Sequence, residues 1–457
     1  MLNPDPAKIP SARALALHIL AGARSRGQSV EDLLAAVLKK YPSLSRPDRA
    51  LLLELVQGVK RWEIRLDYVI SHLSHLPLRK LHPLVLIILR IAAYQILFLD
   101  RVPARAAVAE AGRLAKERRL PKAHAGFINA VLRKLAAGEG PSLPDPEADA
   151  VLALSVATSH PAWLVPRWLS RYGLEPTQAK LAANNQIPPL TIRVNTLKTE
   201  AVRLQARLAA EGVDAAPCRF SPAGLQLISF KTAPQELLSF REGLWLFQDE
   251  AAQLVSFLLP VSPGQKILEI GSGRGGKTTH LAEKIQNQGL LLAVDYHRRR
   301  LGELRRTLRR WGVTVAQPLR ADATRPLPIK QGSLDAVLID APCSALGIIR
   351  RHPEIKTRLQ ESDLATFPPR QLAMLEQAAP LLRPGGRVLY ITCTTEPEEN
   401  QDLIATFLQN HPEFHLTCEP DLLPPPAQPL LQPPGFFQSS PTQHNLDAFF
   451  AAALVRE

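Results

Sequence analysis

The chain has 457 residues, of which 46% are hydrophobic and 21% are charged. That length predicts two to four domains, and the composition allows ordinary buried cores and excludes a disordered polymer. The apolar stretch from Leu84 to Leu99 is interrupted by Arg90 and Gln95, so a buried helix is a better interpretation than a membrane span.

The N-terminus, with Pro4, Asp5, Pro6 and Pro10, lacks the apolar core of a signal peptide. The chain has four cysteines, and none of them forms a CxxC pair. This spacing argues against both a disulfide scaffold and a zinc site. We therefore expect a reduced, cytoplasmic protein that binds no metal and no membrane.

The net charge of +13 lies almost entirely in the first third of the chain. Residues 1–140 hold 23 Lys and Arg against 11 Asp and Glu. Such an asymmetry indicates an anionic partner, and nucleic acid is the usual one. The alternative is a helical domain with a solvated basic face.

The first half of the chain reads as helices followed by a mixed segment. Apolar residues recur at helical spacing from Ala12 to Ala137, with prolines near the expected helix ends, which predicts an all-α bundle. Glycines and prolines after it predict a linker, which we place at residues 141–158. Residues 159–247 combine a helix (162–171) with strands (190–194 and 224–228), as in a small α+β module.

After Pro260 the pattern becomes a regular alternation of strands and helices. This predicts a mostly parallel sheet covered on both faces. A Pro-rich stretch, residues 419–443, predicts a long loop before a last strand at 448–455. The predicted strands are 266–270, 290–294, 314–320, 334–339 and 386–392, and the predicted helices are 277–286, 297–311, 369–382 and 398–410.

A glycine-rich turn follows the first of these strands and opens a helix. Glycines there let the backbone approach a ligand, and the helix N-terminus adds positive potential. Asp295, at the end of the next strand, is placed to bind a ribose, and Asp322, after the strand that follows, to reach an adenine. The turn consists of Gly271, Ser272, Gly273, Arg274, Gly275, Gly276 and Lys277.

Two other interpretations of this turn stay open. Residues 271–278 also fit the phosphate-binding pattern G-x-x-x-x-G-K-[ST], and Asp340 could then be the strand-end aspartate of a nucleoside triphosphatase. Alternatively, the segment is only a tight turn, with Asp295 and Asp322 serving as helix caps.

Cys343 and Cys393 each follow a predicted strand, and Asp340 lies three positions before the first of them. Buried free cysteines are usually inert. Here both thiols should emerge at the carboxyl edge of the sheet, where α/β folds place their chemistry. A thiolate in this position is a good nucleophile toward an electron-poor carbon.

Several motifs carry a resemblance to a known family. Residues 267–281, Asp340–Ser344 with Arg350–Ile355, and Tyr390–Thr394 with Glu399 and Asn400 resemble the Sun family of RNA (cytosine-5) methyltransferases. Arg193–Lys198 and Phe247–Ala252 resemble its RNA-binding module and the junction with the catalytic domain. Residues 89–98 and 126–133 resemble the NusB antitermination-factor fold. The combination is similar to bacterial Sun/RsmB-type enzymes that methylate small-subunit ribosomal RNA.

The resemblance implies the architecture and the partners of the chain. It implies S-adenosylmethionine as cofactor and 16S ribosomal RNA, unassembled or partly assembled, as substrate, with C5 of a cytosine as the methylated atom. The implied domains are an all-α NusB-like RNA-binding bundle (1–140), the linker, a small α+β RNA-recognition module (159–247) and an α/β class I, Rossmann-like methyltransferase domain (248–457).

The resemblance also implies roles for single residues. Cys393 would attack C6 of the cytosine, and Cys343 would assist release of the covalent adduct. Asp340 would hydrogen-bond the base at N3 or lie against the methionine end of the cofactor. Asp295 would hold the ribose and Asp322 the adenine.

The glycine-rich turn departs from the family pattern. The family usually has Cys-Ala-Ala-Pro-Gly-Gly-Lys where this chain has residues 271–277, and Glu269 replaces a common Asp. The substituted turn is closer to that of methyltransferases in general, so we expect cofactor binding to survive, with Lys277 supporting the pocket.

Competing functions remain at this point. They are a transfer-RNA cytosine-5 methyltransferase, the triphosphatase, a non-catalytic RNA-binding assembly factor, and a DNA-methyltransferase-like enzyme with Cys343 as the nucleophile.

Overall fold

The computed structural model describes residues 9–26, 29–230 and 232–457. The prediction that the first residues contain no signal peptide concerns mainly residues 1–8, which lie outside the described residues. The chain forms two compact units. The helical unit comprises Met1–Asn185 and His352–Arg358, and the sheet unit comprises Gln186–Arg351 and Leu359–Glu457.

The helical unit confirms the predicted all-α bundle. Ser29 and Ser45 cap their helices by accepting hydrogen bonds from the backbone N–H groups of Asp32 and Asp48. Its helices are α1 (Ala12–Arg26), α2 (Val30–Lys40), α3 (Arg46–Leu73), α4 (Pro83–Phe98), α5 (Ala104–Glu117), α6 (Lys122–Ala136), α7 (Ala150–Thr158), α8 (Leu164–Tyr172) and α9 (Leu174–Ala183).

Helix α4 contains most of the apolar stretch that was predicted from the sequence to be a buried helix. The structure confirms that prediction. Its residues from Val85 to Leu89 are buried in the core of the bundle. Arg90 forms ion pairs with Asp67 and Glu63. Within the described part of the chain, no helix is both long and apolar enough to cross a membrane.

Part of the predicted linker is helical. Residues 150–158 form α7 because Asp149 caps the segment and its apolar residues Ala153 and Val156 are buried. The packing partner is distant in sequence: Ser159 Oγ accepts hydrogen bonds from the backbone of α3 at Ile64 and Arg65.

The sheet unit begins with a four-stranded antiparallel sheet in the order β2-β3-β1-β4. Buried Ile192, Val194, Leu225 and Trp245 form its core. The predicted α+β fold of this segment is thereby confirmed, whereas the helix predicted at residues 162–171 is α8 of the helical unit. Its elements are β1 (Leu190–Val194), α10 (Ala201–Ala210), β2 (Val213–Pro217), β3 (Gly224–Phe230), α11 (Leu238–Arg241) and β4 (Trp245–Phe247).

The second sheet has the order β11-β12-β13-β9-β8-β5-β6-β7, with β10 paired to β13. The strands from β9 to β7 in this order are parallel, and β13 joins β9 in antiparallel pairing. These strands are β5 (Lys266–Ile270), β6 (Leu290–Asp295), β7 (Ala316–Arg320), β8 (Leu334–Asp340), β9 (Leu382–Thr392), β10 (Phe414–Leu416), β11 (Leu431–Gln432), β12 (Phe436–Gln438) and β13 (Phe450–Arg456).

Helices cover both faces of this sheet, as predicted. Ile267 of β5 packs into the core that contains Leu281 and Leu304, whereas the next residue, Leu268, packs with Leu375 and Phe407 on the other face. The helices are α12 (Glu250–Leu254), α13 (Gly276–Lys284), α14 (Arg298–Trp311), α16 (Phe367–Ala378), α17 (Gln401–Asn410) and α18 (Pro441–His444), while α15 (Ile355–Arg358) belongs to the helical unit.

The prediction of a long loop at residues 419–443 is wrong. Two 3-10 helices (Pro420–Leu422 and Pro425–Leu430), β11, β12 and the start of α18 occupy this stretch. The strands are too short for an alternating pattern. They exist because β12 pairs with β13, so tertiary contacts decide their structure.

Candidate active site

The predicted site residues meet at the carboxyl edge of the parallel strands. The glycine-rich turn follows β5, Asp295 ends β6, Asp340 ends β8 and Cys393 follows β9. Because β5 pairs with both β6 and β8, the chain reverses its order at this strand. Ligands of open α/β sheets bind at such a switch point.

Three glycines give the turn its shape. Gly271, Gly273 and Gly275 have φ angles of +82°, +54° and +93°, a region that L side chains rarely adopt. A Cβ at Gly271 would lie 2.3 Å from the carbonyl oxygen of Asp340, and one at Gly275 would lie 2.6 Å from Leu304 Cδ1. Side chains at Gly271 and Gly275 would therefore be strained and crowded in this backbone.

Not every residue of the turn contributes its side chain. Arg274 donates to Glu303, 2.9 Å away, and this pair is partly exposed. The carbonyl of Gly276 accepts a hydrogen bond from Arg193. Lys277 Nζ donates to Asp340 Oδ2 at 2.7 Å, which joins the turn to the end of β8.

The two remaining predicted aspartates differ in environment. Asp295 is buried, and its carboxylate accepts hydrogen bonds from the backbone N–H groups of Gly273 and His297. Asp322 is more exposed and accepts from the N–H and hydroxyl of Thr324, and these bonds hold the pKa of its carboxyl below the usual value. Asp295 thus braces the turn, whereas Asp322 lies in a local turn after β7.

Three buried polar atoms at the turn have no geometric hydrogen-bond partner among the described residues. They are Glu269 Oε2, at the end of β5, Ser272 Oγ and Thr278 Oγ1. Thr278 lies near enough to Glu269 to act against the rise of its pKa, so Ser272 Oγ is the clearest unpaired atom. Burial raises the pKa of Glu269 to about 7. Buried polar atoms normally find partners, so these unpaired atoms and the open-backbone turn fit a polar ligand bound here. The sequence singles out Glu269 only as the residue that replaces a common Asp, and does not predict it as a site residue.

The two cysteines lie side by side. Cys343 Sγ is 3.3 Å from Cys393 Sγ, and both thiols are free. The hydrogen bond to Cys393, together with burial, raises the pKa of the Cys343 thiol well above its ordinary value. The raised pKa favours the protonated form of Cys343, whose sulfur also accepts a hydrogen bond from the backbone N–H of Cys393 at 3.4 Å.

A buried carboxylate joins the two cysteine loops. Glu399 accepts hydrogen bonds from the backbone N–H and hydroxyl of Ser344, and from Gln371 Nε2 at 2.9 Å. The Ser344 hydroxyl also lies 2.8 Å from Thr394 Oγ1. Because Ser344 and Thr394 directly follow the two cysteines, this network fixes the distance between the thiols. Burial raises the pKa of Glu399.

Close backbone packing fixes the Cys393 loop from the other side. The N–H of Gly347 donates to the carbonyl of Cys393 at 2.9 Å, and a Cβ at Gly347 would lie 2.2 Å from the carbonyl oxygen of Ala448. Arg350 is buried and pairs with Asp447. Glycine and arginine in this stretch thus have structural roles.

The motif in β1 also has a structural role. Arg193 is fully buried, donates to Glu283 and Thr279 of α13 and to Gln248, and cannot reach RNA in this conformation. Asn195 donates to the carbonyls of Gly243 and Trp311. These residues join the small sheet to the large one.

The sequence matches three family models. Residues 256–455 match the 16S rRNA methyltransferase RsmB/F model, residues 10–137 match the NusB family, and residues 160–232 match the RsmF/B-like ferredoxin-like domain. The division into four predicted segments stays a prediction, since these matches leave residues 138–159 and 233–255 unassigned.

Similar proteins cover the chain nearly end to end. It is 34% identical to the probable ribosomal RNA small subunit methyltransferase B of Bacillus subtilis, over 98% of this chain and all of that protein. It is 35% identical to ribosomal RNA small subunit methyltransferase B of Pseudomonas putida, over 100% and 99% of the two chains. The chain belongs to the RsmB/F family of 16S rRNA methyltransferases.

The fold agrees with this membership. The crystal structure of PH0851 superposes with a TM-score of 0.83 at 27% identity, covering 98% of this chain and 99% of that one. The NSun6 structure from Pyrococcus horikoshii with SFG, at 21% identity and a TM-score of 0.57, covers 65% of this chain and 98% of that one and shares the fold.

As an RsmB/F enzyme, the chain is a methyltransferase whose cofactor is S-adenosylmethionine. The predicted fold class, a NusB-like bundle with an α+β module and a Rossmann-like domain, is confirmed. The triphosphatase and the non-catalytic assembly factor are excluded by the family. The roles of single site residues remain predictions.

We expect Asp295→Ala to weaken S-adenosylmethionine binding by roughly 1.5–3 kcal/mol, because charge-assisted hydrogen bonds to the ribose and the brace on Gly273 are both lost. Isothermal titration calorimetry measures the change. Asp335→Ala is the control, because Asp335 lies at the opposite end of β8 from the turn. Its carboxylate accepts hydrogen bonds from the Lys266 N–H and from Arg383. Equal affinity in Asp295→Ala and the wild type would contradict the assignment.

Glu269 should make stability depend on pH. Its pKa of about 7 in the folded protein lies above the ordinary 4.5, so the neutral carboxyl stabilises the fold below about pH 4.5, and this contribution is lost as pH rises through 7. Glu269→Gln should match the wild type near pH 4.5 and exceed it by roughly 2–3 kcal/mol at pH 8 without cofactor. Denaturant unfolding measures the difference, and the exposed Glu200→Gln is the control. A gap that does not grow with pH would refute the assignment.

Proposed function

We propose that this RsmB/F enzyme methylates C5 of a cytosine in 16S ribosomal RNA through a covalent bond between Cys393 and C6 of the base. The observation that carries the proposal is the pair of thiols 3.3 Å apart at the carboxyl edge of the sheet, beside the cofactor turn. A methyltransferase acting on a nitrogen or oxygen needs no cysteine pair. Carbon 5 of cytosine, by contrast, becomes nucleophilic only after addition at C6.

The cofactor, when bound, supplies an electrophilic methyl group on a positively charged sulfur. The groups that would hold it are Glu269, Ser272, the backbone of Gly271 and Gly273, and the carboxylate of Asp295. The chain's own contribution is to bring the base and the methyl donor to one edge of the sheet.

Cys393 is the nucleophile in this mechanism. Its thiolate attacks C6, and the electron pair of the C5–C6 double bond moves so that C5 becomes nucleophilic. C5 would then take the methyl group, and the electron pair of the methyl–sulfur bond would stay on the cofactor sulfur. Asp340, held by Lys277, lies at the end of the neighbouring strand. If Asp340 carries a proton when the base is bound, its carboxyl would donate a hydrogen bond to N3 and stabilise the negative charge that addition at C6 creates.

Cys343 serves the release step. When the C6–S bond breaks, its electron pair returns to Cys393 Sγ, and Cys343 is placed to donate its proton to that sulfur. The resulting Cys343 thiolate can accept the proton that leaves C5, while the C5–H electrons restore the double bond. Its raised pKa supports this role, since the thiol must keep a proton until release.

The alternative substrate is a transfer RNA. Full-length similarity to small-subunit methyltransferases, including the NusB-family segment, favours 16S ribosomal RNA.

Nucleoside mass spectrometry and bisulfite sequencing of 16S transcripts test the proposal, after incubation with the purified protein and S-adenosylmethionine. We expect 5-methylcytidine at one cytosine. Methylation of another atom, or of transfer RNA alone, would overturn the proposal. A protein with Cys393→Ala is the control for contaminating activity.

A further inference from the structure

The helical unit contains a cavity of about 450 Å³ that lies outside the candidate active site. This volume falls in the range of sites that hold small ligands. The lining combines apolar residues of the bundle with polar and charged side chains. It consists of Leu20, Ala23, Arg24, Ser29, Val30, Val59, Lys60, Glu63, Ile87, Arg90, Glu354, Thr357 and Arg358.

The charges at the base of the cavity are balanced. Glu63 lies between Lys60 Nζ at 2.8 Å and the guanidinium of Arg90, which also binds Asp67. Although burial acts to raise the pKa of Glu63, Arg90 and Lys60 hold it below the usual value, so the carboxylate stays ionised. These groups form an ion-pair network on α3 and α4, and Arg24 of α1 also acts on Glu63 and Asp67 from the mouth of the cavity.

The charges at the mouth are in excess. Arg24 of α1 and Arg358 of α15 are both exposed. Arg24 is close enough to Glu63 and Asp67, and Arg358 to Glu354, to act to lower the pKa of those carboxyls, but neither guanidinium closes an ion pair within 4 Å among the described residues. Glu354 is the remaining acidic residue of the lining, and it faces His352 at 3.5 Å. The lining thus holds Arg24, Lys60, Arg90 and Arg358 against Glu63 and Glu354, so positive charge remains in excess at the mouth and can bind an anion.

Arg358 is held in place by a buried anchor. Lys356, two residues before it, is buried and donates to Asn185 Oδ1 at 2.6 Å and to the carbonyl of Arg61 at 3.1 Å. Ile355 is buried as well. The segment is thereby fixed against the bundle, and Thr357 and Arg358 line the cavity.

We propose that this cavity binds a backbone phosphate of the RNA substrate, through Arg24 and Arg358. Guanidinium groups match phosphate oxygens in geometry and stay charged at all physiological pH values. The site rests on the proposed function for its ligand. It adds that the segment following the Cys343 motif in sequence, His352–Arg358, is part of the RNA-binding surface.

The test uses the full-length double variant Arg24→Ala/Arg358→Ala and a 16S transcript, with binding measured at several salt concentrations. We expect the affinity for the transcript to fall roughly ten-fold. The slope of log affinity against log salt should also decrease in magnitude by about 1–2, because the variant loses one or two phosphate contacts and the counterion release that goes with them. The matched control is Arg79→Ala/Arg105→Ala, which removes the same charge from exposed positions of the same unit.

Equal losses in the two double variants would overturn the proposal, because the effect would then come from general charge. An unchanged affinity in Arg24→Ala/Arg358→Ala would overturn it as well. Thermal unfolding confirms that each variant is folded. This test is separable from that of the proposed function. If only the cavity proposal is wrong, the wild-type enzyme still forms 5-methylcytidine. If the proposed function is wrong, the wild-type reaction contains no 5-methylcytidine.

Discussion

Cys393→Ala should abolish both methylation and any covalent adduct with RNA, whereas Cys343→Ala should form the adduct and fail to release it. The reason is the division of roles between two thiols 3.3 Å apart. Loss of the nucleophile stops the reaction at its first step, and loss of the proton donor stops it after methyl transfer. Denaturing gel electrophoresis of the protein with labelled 16S transcript and cofactor measures the trapped species.

The control for this experiment is Cys218→Ala, since Cys218 packs beside Gly224 in the small module. That variant should methylate RNA at the wild-type rate and accumulate no adduct. If the adduct accumulates in Cys393→Ala and not in Cys343→Ala, Cys343 is the nucleophile and the two roles are exchanged. If both variants methylate RNA and neither forms an adduct, the covalent mechanism is wrong.

Gly271→Cys should lower S-adenosylmethionine affinity by at least ten-fold, although it restores the residue that the family usually has at this position. In this chain the backbone there has a φ of +82°, and a Cβ would lie 2.3 Å from the carbonyl oxygen of Asp340. The strained backbone alone costs about 1–2 kcal/mol. The contact with a main-chain atom forces the turn or the end of β8 to move.

Calorimetric titration with the cofactor measures this effect, alongside the thermal unfolding midpoint. Gly302→Cys is the matched control, because a Cβ at this position of α14 meets no atom within 4 Å. It should leave cofactor affinity unchanged. Wild-type affinity in Gly271→Cys would contradict this expectation and show that the turn tolerates a side chain at position 271.

The regular elements of the fold were predictable because they have strong local patterns. The strands at 190–194 and 266–270 match the structure residue for residue, since short apolar runs bounded by turn residues specify buried strands. Helix α7 and strands β11 and β12 were missed. Their stability comes from partners far away in the sequence, such as β13, and a local pattern contains no information about those contacts.

The candidate site was predictable as a set of residues but not as a geometry. The order of strands places Asp295, Asp340, Cys343 and Cys393 at one edge, which spacing alone indicates. Three features of the site could not be predicted. They are the ion pair of Lys277 with Asp340, the hydrogen bonds from Ser344 to Glu399, and the burial of Glu269 Oε2. Each depends on side-chain packing between separate segments.

The covalent mechanism is tested most directly by identifying the residue that forms the bond to the RNA. A 16S transcript containing 5-fluorocytidine traps the adduct in the wild-type enzyme, because fluorine at C5 cannot leave as the proton does. Proteolysis and mass spectrometry then locate the attached nucleotide. The covalent mechanism predicts a cofactor-dependent adduct on the peptide that contains Cys393. Attachment to the peptide that contains Cys343 would contradict this mechanism. So would the absence of an adduct with 5-fluorocytidine RNA when the enzyme methylates unmodified RNA of the same sequence.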